Sequence, residues 1–153
     1  MSLAQPLTGL RVSLRKPSLQ STALDRSPAI DSKVLAASIA RIADELKGLD
    51  IRIYDVAETL RVADYFVVAT GNSRPHVKAL YEEIHYRLKH LGERHARAEG
   101  LELGWWVLLD FGDVVVHLQQ EEARAYYALD ALYGDCAQLQ WQSIETPALP
   151  STR

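Results

Sequence analysis

The residues best placed to do chemistry are the corner Gly71-Asn72-Ser73, the aspartates Asp110 and Asp113, and five histidines. A Gly-Ser corner that opens a helix resembles a phosphate-holding turn, because a helix N-terminus presents unpaired N–H groups to an anion. To transfer a nucleotidyl group, such a corner needs Mg²⁺ held by two carboxylates aimed from one strand face, as an Asp-x-Asp spacing provides. Asp110 and Asp113 instead stand three apart across Phe111-Gly112. No metal pair is expected there, and the corner reads as an ordinary capped helix start. His76, His85, His90, His95 and His117 include no His-x-x-x-His pair and no companion cysteine cluster, so no zinc site and no cofactor are expected. Ser73 and His85 lack any triad context, and nucleophilic catalysis is not expected either.

These residues must be positioned by elements that the hydrophobic periodicity outlines. Ser32 is placed to cap a helix through Leu35, Ile39, Ile42 and Leu46, which Gly48 ends. Ile51–Val56 alternates as a strand, Ala57–Val62 makes a turn or short helical piece, and Tyr65–Thr70 is a nearly continuous apolar strand suited to a sheet centre. Ser73 as cap and Pro75 in the first turn begin a second helix, whose stripe Val77, Leu80, Tyr81, Ile84, Leu88 and Leu91 runs to about Leu91. His95–Glu99 forms a short strand. Trp105–His117 is a hairpin about Asp110-Phe111-Gly112-Asp113, and a last helix follows Gln120, with Glu121 and Glu122 favourable at its N-terminus. The order α-β-β-α-β-β-β-α predicts an α/β domain around a mixed sheet of about five strands with flanking helices.

Alternation along the hairpin sets Trp105, Val107 and Leu109 on one face and Trp106, Leu108 and Asp110 on the other. One tryptophan is expected inside the core, with Trp106 looking out as an interface anchor; the competing expectation is that Trp106 covers a sheet face beneath a helix. Tyr126 and Tyr127 read as helix packing rather than a base-stacking platform, because no basic residues cluster around them.

With 153 residues, the chain is long enough for one domain with its own core. Residues 1–31, which hold three prolines, four basic and two acidic residues, read as a flexible leader of net charge +2. That leaves −5 on residues 32–153, out of −3 overall. An acidic domain is poorly suited to wrapping a phosphate backbone, so no direct sequence-specific nucleic-acid binding is expected and a basic protein partner fits better. The single Cys136 rules out an internal disulfide framework and suits a reducing compartment. No apolar run reaches the ~20 residues of a membrane span. Beyond Gly134, the segment 135–153 with Pro147 and Pro150 is expected to be a flexible tail.

Asp64-Tyr65-Phe66-Val67-Val68-Ala69-Thr70-Gly71-Asn72-Ser73, then Glu99-Gly100, then the tryptophan hairpin, then Glu121, Glu122, Arg124, Tyr126 and Tyr127 occur in this order. Over residues 32–134 the chain resembles the ribosomal silencing factor (Iojap-like) family. The resemblance implies a nucleotidyltransferase-like topology and a cytoplasmic translation repressor that acts without catalysis. It implies a partner in the large ribosomal subunit, the ribosomal protein numbered fourteen, whose occupation blocks subunit joining. Carried over by position, Trp106, Leu108 and Asp110 form the contact surface, with Asp113, Asp64 and Asn72 near it or shaping it. A homodimer is a further possibility that the family allows. The rival readings are a nucleotidyltransferase-like enzyme and a ribosome-assembly adaptor.

Overall fold

A computed structural model describes residues 30–93 and 97–149. The expected leader, apart from its last two residues, lies outside the described residues, as does His95. The elements are α1 (Ser32–Glu45), β1 (Leu49–Asp55), α2 (Ala57–Leu60), β2 (Tyr65–Gly71), α3 (Arg74–Lys89), β3 (Arg97–Glu99), β4 (Trp106–Asp110), β5 (Val114–Gln120), α4 (Glu121–Tyr127) and α5 (Leu129–Leu132), followed by a 3₁₀ turn at Trp141–Ser143.

The sheet is mixed and five-stranded, in the order β1-β2-β5-β4-β3. Only the central β2–β5 pair is parallel; β1–β2, β4–β5 and β3–β4 are antiparallel. The parallel pairing follows from α3, which carries the chain away from the end of β2. β2 is an inner strand, between β1 and the middle strand β5, and is buried from Phe66 to Gly71, in keeping with its apolar run.

Both faces of this sheet are covered. Val67, Ala69, Val107, Leu109, Val116 and Leu118 meet Leu35, Ile39 and Ile42 of α1 and Val77, Leu80, Ile84 and Leu88 of α3 in the larger core. On the other face Tyr54, Phe66, Val68, Leu108 and Val115 form a second cluster with Val56 and Ala63, flanked by Leu60, Val62, Tyr133 and Cys136. Strands buried on both sides lose the in-out alternation of burial, and every residue of β4 is buried.

Three local details differ from the sequence reading. The residue before α1 is Asp31 rather than Ser32, and the Ser32 hydroxyl, inside the helix, donates to Asp64 Oδ2 at 3.1 Å. The last helix is broken at Ala128, whose φ of 50° ends α4 in the left-handed region. The described residues 135–149 are held in place: Asp55 N donates to Ala137 O and Leu139 N to Ile53 O, both at 2.9 Å, along the open edge of β1. Trp141 packs into the core against α1, 9% exposed, while Arg41 lies over its ring and donates through Nη2 to the carbonyls of Trp141 and Ile144. One aromatic and one arginine thus anchor a segment whose prolines suggest none.

Candidate functional site

Trp106, Leu108 and Asp110 share one face of β4, opposite Gln119, His117 and Val115 of β5. The expectation that Trp106 looks out fails: it is 5% exposed, with Leu108 at 4% and Asp110 at 2%. The alternation holds, but α4 roofs this end of the second face. The Tyr127 ring lies 4.4 Å from that of Trp106, centroid to centroid. Trp105 is the half-buried neighbour, edge-on to Tyr127 at 5.8 Å.

Beneath this roof lies a polar network that the sequence reading missed. The Trp106 indole Nε1 donates to His117 Nδ1 at 3.1 Å. His117 therefore carries its proton on Nε2. Complete burial pushes the imidazole down to about 3, with the nearby Arg124 charge acting in the same direction. His117 Nε2 and both side-chain polar atoms of Gln119 are buried without a hydrogen-bond partner among the described residues. Arg124 reaches in from α4, donating from Nη1 to Thr70 Oγ1 at 2.9 Å and from Nε and Nη2 to the Asp130 carboxylate at 2.8 and 3.0 Å. Tyr54 donates its hydroxyl to the same carboxylate at 2.5 Å, and burial together with Asp130 pushes the phenol up to about 12. The missed signal was positional: His117 and Gln119 alternate with Val116 and Leu118 in a strand paired to the inner strand β2, so both had to be buried.

Of the expected site residues, Asp110, Asp113 and Asp64 collect at the opposite end of the sheet. Asp110 Oδ1 accepts from Gly112 N at 2.8 Å across the β4–β5 turn, where Gly112 takes a φ of 93° that disfavours a side chain. Burial pushes the Asp110 carboxyl up to about 6, only partly opposed by that bond. Asp113 is exposed, and its carbonyl accepts from Asp64 N at 2.7 Å and Tyr65 N at 3.1 Å. The structure thus brings Asp110, Asp113 and Asp64 together but leaves Trp106, level with Gln119 and Thr70, and Asn72, just past Gly71, at the other end. Asp110 and Asp113 differ in surroundings, one buried and folded onto its own turn, the other exposed. Among the described residues no group of three or more His, Cys, Asp or Glu could hold a metal ion.

The corner at Asn72 is closed by the chain itself. Ser73 caps α3 by accepting from His76 N at 3.2 Å. Asn72 N donates to His76 Nδ1 at 2.9 Å, and the same ring pairs through Nε2 with Leu46 O at 2.8 Å. A Cβ on Gly71 would come within 2.7 Å of Val77 Cγ2, so strand and helix meet here too tightly for another side chain. Two of the corner's N–H groups, those of Asn72 and His76, are thus engaged by the side chains of His76 and Ser73.

No helix among the described residues is long and apolar enough to cross a membrane. The model of a family described as "Ribosomal silencing factor during starvation" matches residues 29–153. The chain is 36% identical over 106 residues to the ribosomal silencing factor RsfS of Bacillus subtilis, covering 69% of this chain and 90% of that one. It is 33% identical over 87 residues to the mouse "Mitochondrial assembly of ribosomal large subunit protein 1", covering 55% and 38% respectively. A crystal structure of a Chromobacterium violaceum protein superposes with a TM-score of 0.67 at 32% identity, covering 78% of this chain and 92% of that one. The family match takes in both helical layers, the sheet and the segment that closes over α1, so sequence and architecture agree: this chain belongs to the ribosomal silencing factor family.

Proposed function

We propose that this protein represses translation by binding the large ribosomal subunit at the ribosomal protein numbered fourteen, where it blocks joining of the small subunit. The observation that carries this reading is the family match over residues 29–153. The acidic balance of residues 32–153 supports it, because ribosomal proteins are basic and opposite charge steers encounter. In this reading Asp113 and Asp64 lie at one rim of the contact and Asn72 at the other. Trp106, Leu108 and Asp110 shape the surface from beneath.

The protein acts by occupancy rather than catalysis. Supporting this, the Asn72 and His76 amides at the corner are engaged by the His76 and Ser73 side chains, and Asp110 and Asp113 do not share one environment. The name of the mouse relative favours a second reading, an adaptor in large-subunit assembly. Sedimentation with separated subunits distinguishes the two. A repressor co-sediments with mature large subunits and lowers the yield of joined ribosomes when small subunits are added. Binding to small subunits alone, or unimpaired joining at saturating protein, would defeat the proposal. Binding to immature large particles only would favour the adaptor.

A further inference from the structure

Because α4 roofs the hairpin, a partner approaching that end of the sheet meets the outer side of α4 first. Tyr126 there is 61% exposed. Its ring stands edge-on to Tyr127 at 5.1 Å, and Tyr127 in turn contacts both Trp106 and Trp105. The exposed ring therefore rests edge-on against an aromatic stack that continues down to Trp106. Glu122 lies one turn earlier on the same side of the helix, and Glu121 and Glu122 are both exposed. The helix's one basic residue, Arg124, is turned inward to Thr70 and Asp130, so the outward side is anionic and aromatic.

We propose that this outer face of α4, Tyr126 with Glu122, together with Glu121 beside it at the exposed helix start, docks a basic protein segment. Aliphatic stems of lysine or arginine would cover the tyrosine ring while their charged heads meet the two carboxylates. Charge selects this occupant over a nucleic acid, whose phosphates require lysines and arginines that the face lacks. The inference rests on the proposed binding to the large subunit and adds to that contact the side of α4 that covers its Trp106 end.

The test measures affinity of the full chain for isolated large subunits by co-sedimentation, for wild type and for Tyr126→Ser, Glu122→Lys and Tyr86→Ser. Tyr86, on α3 and 36% exposed, is the control, because α3 covers the opposite sheet face. Tyr126→Ser and Glu122→Lys are each expected to weaken binding by about tenfold or more, with unfolding midpoints unchanged, while Tyr86→Ser binds as wild type. Wild-type affinity in both α4 variants overturns this surface but leaves the functional reading standing. An equal loss in Tyr86→Ser also overturns it. Loss of self-association in Tyr126→Ser with subunit binding intact assigns the face to a second copy of the chain, and overturns it as well. Absence of wild-type binding defeats the functional reading, and this surface with it.

Discussion

Trp106 fills space and also donates a hydrogen bond, and both roles favour stability over direct contact. Truncation to alanine removes a ring packed between Tyr127 and His117 and leaves His117 Nδ1 without its donor. Trp106→Ala is expected to lower unfolding free energy by about 3–5 kcal/mol in urea titration. An unfolding midpoint equal to wild type would show that the ring is dispensable to the core. His117 and Asp110, buried on the same sheet face, make opposite contributions to the pH dependence of stability. Between about pH 4 and 6 the folded state keeps a proton on Asp110 that the unfolded chain, at its ordinary 3.8, has released; this lowers stability as pH rises. Over the same range the unfolded chain takes up a proton on His117, ordinarily at 6.5, that the folded state refuses; this lowers stability as pH falls. The two largely cancel. Asp110→Asn should unmask the histidine, so that stability relative to wild type gains about 1.4 kcal/mol per pH unit as pH rises through this window. Denaturant titrations at several pH values check it, and parallel curves for variant and wild type would show that Asp110 is ionised throughout.

At the level of elements, α4 is seven residues long and too short to persist alone, so its place depends on Tyr127, Arg124 and the break at Ala128. A left-handed conformation at a non-glycine residue costs about 1–2 kcal/mol. Ala128→Gly relieves it against a greater loss of backbone freedom, for a net gain of up to about 1 kcal/mol. A higher thermal midpoint is the expected result, and a lower one would show that the methyl group packs usefully. This break was illegible in the sequence because alanine favours continued helix, and what spans it is the tertiary pair of Arg124 and Asp130. The α3 start was legible, since Ser73 and Pro75 act locally. So were β2 and the hairpin, whose apolar composition leaves no other element. The exposure of Trp106 was not legible, because alternation assigns a side chain to a face without saying what covers that face. Trp141 stands between Gln140 and Gln142 with apolar neighbours at Leu139 and Ile144 that set no regular period, and its anchoring role is set by the distant Arg41 and α1. Trp141→Ala should loosen the segment along β1, with faster proteolysis after Gly134 than in wild type; equal rates would place the hold in the β1 pairing instead.

For the molecule as a whole, the covering of both sheet faces leaves the outer sides of its helices and the sheet's two ends to meet a partner. At those places the described surface carries Asp113 at one end and Glu121 and Glu122 at the other. The attraction they offer a basic partner is between exposed charges, so it acts over a screening length of about 10 Å at 0.1 M ionic strength and about 3 Å at 1 M. Raising salt through this range should therefore weaken large-subunit binding chiefly by slowing association, because steering depends on long-range charge. Dissociation, governed by the desolvated aromatic contact, should change less. Association and dissociation rates measured at increasing salt on immobilised large subunits check this. A dissociation rate that climbs steeply while association stays constant would mean that buried ion pairs, rather than the Tyr126 ring, hold the complex together.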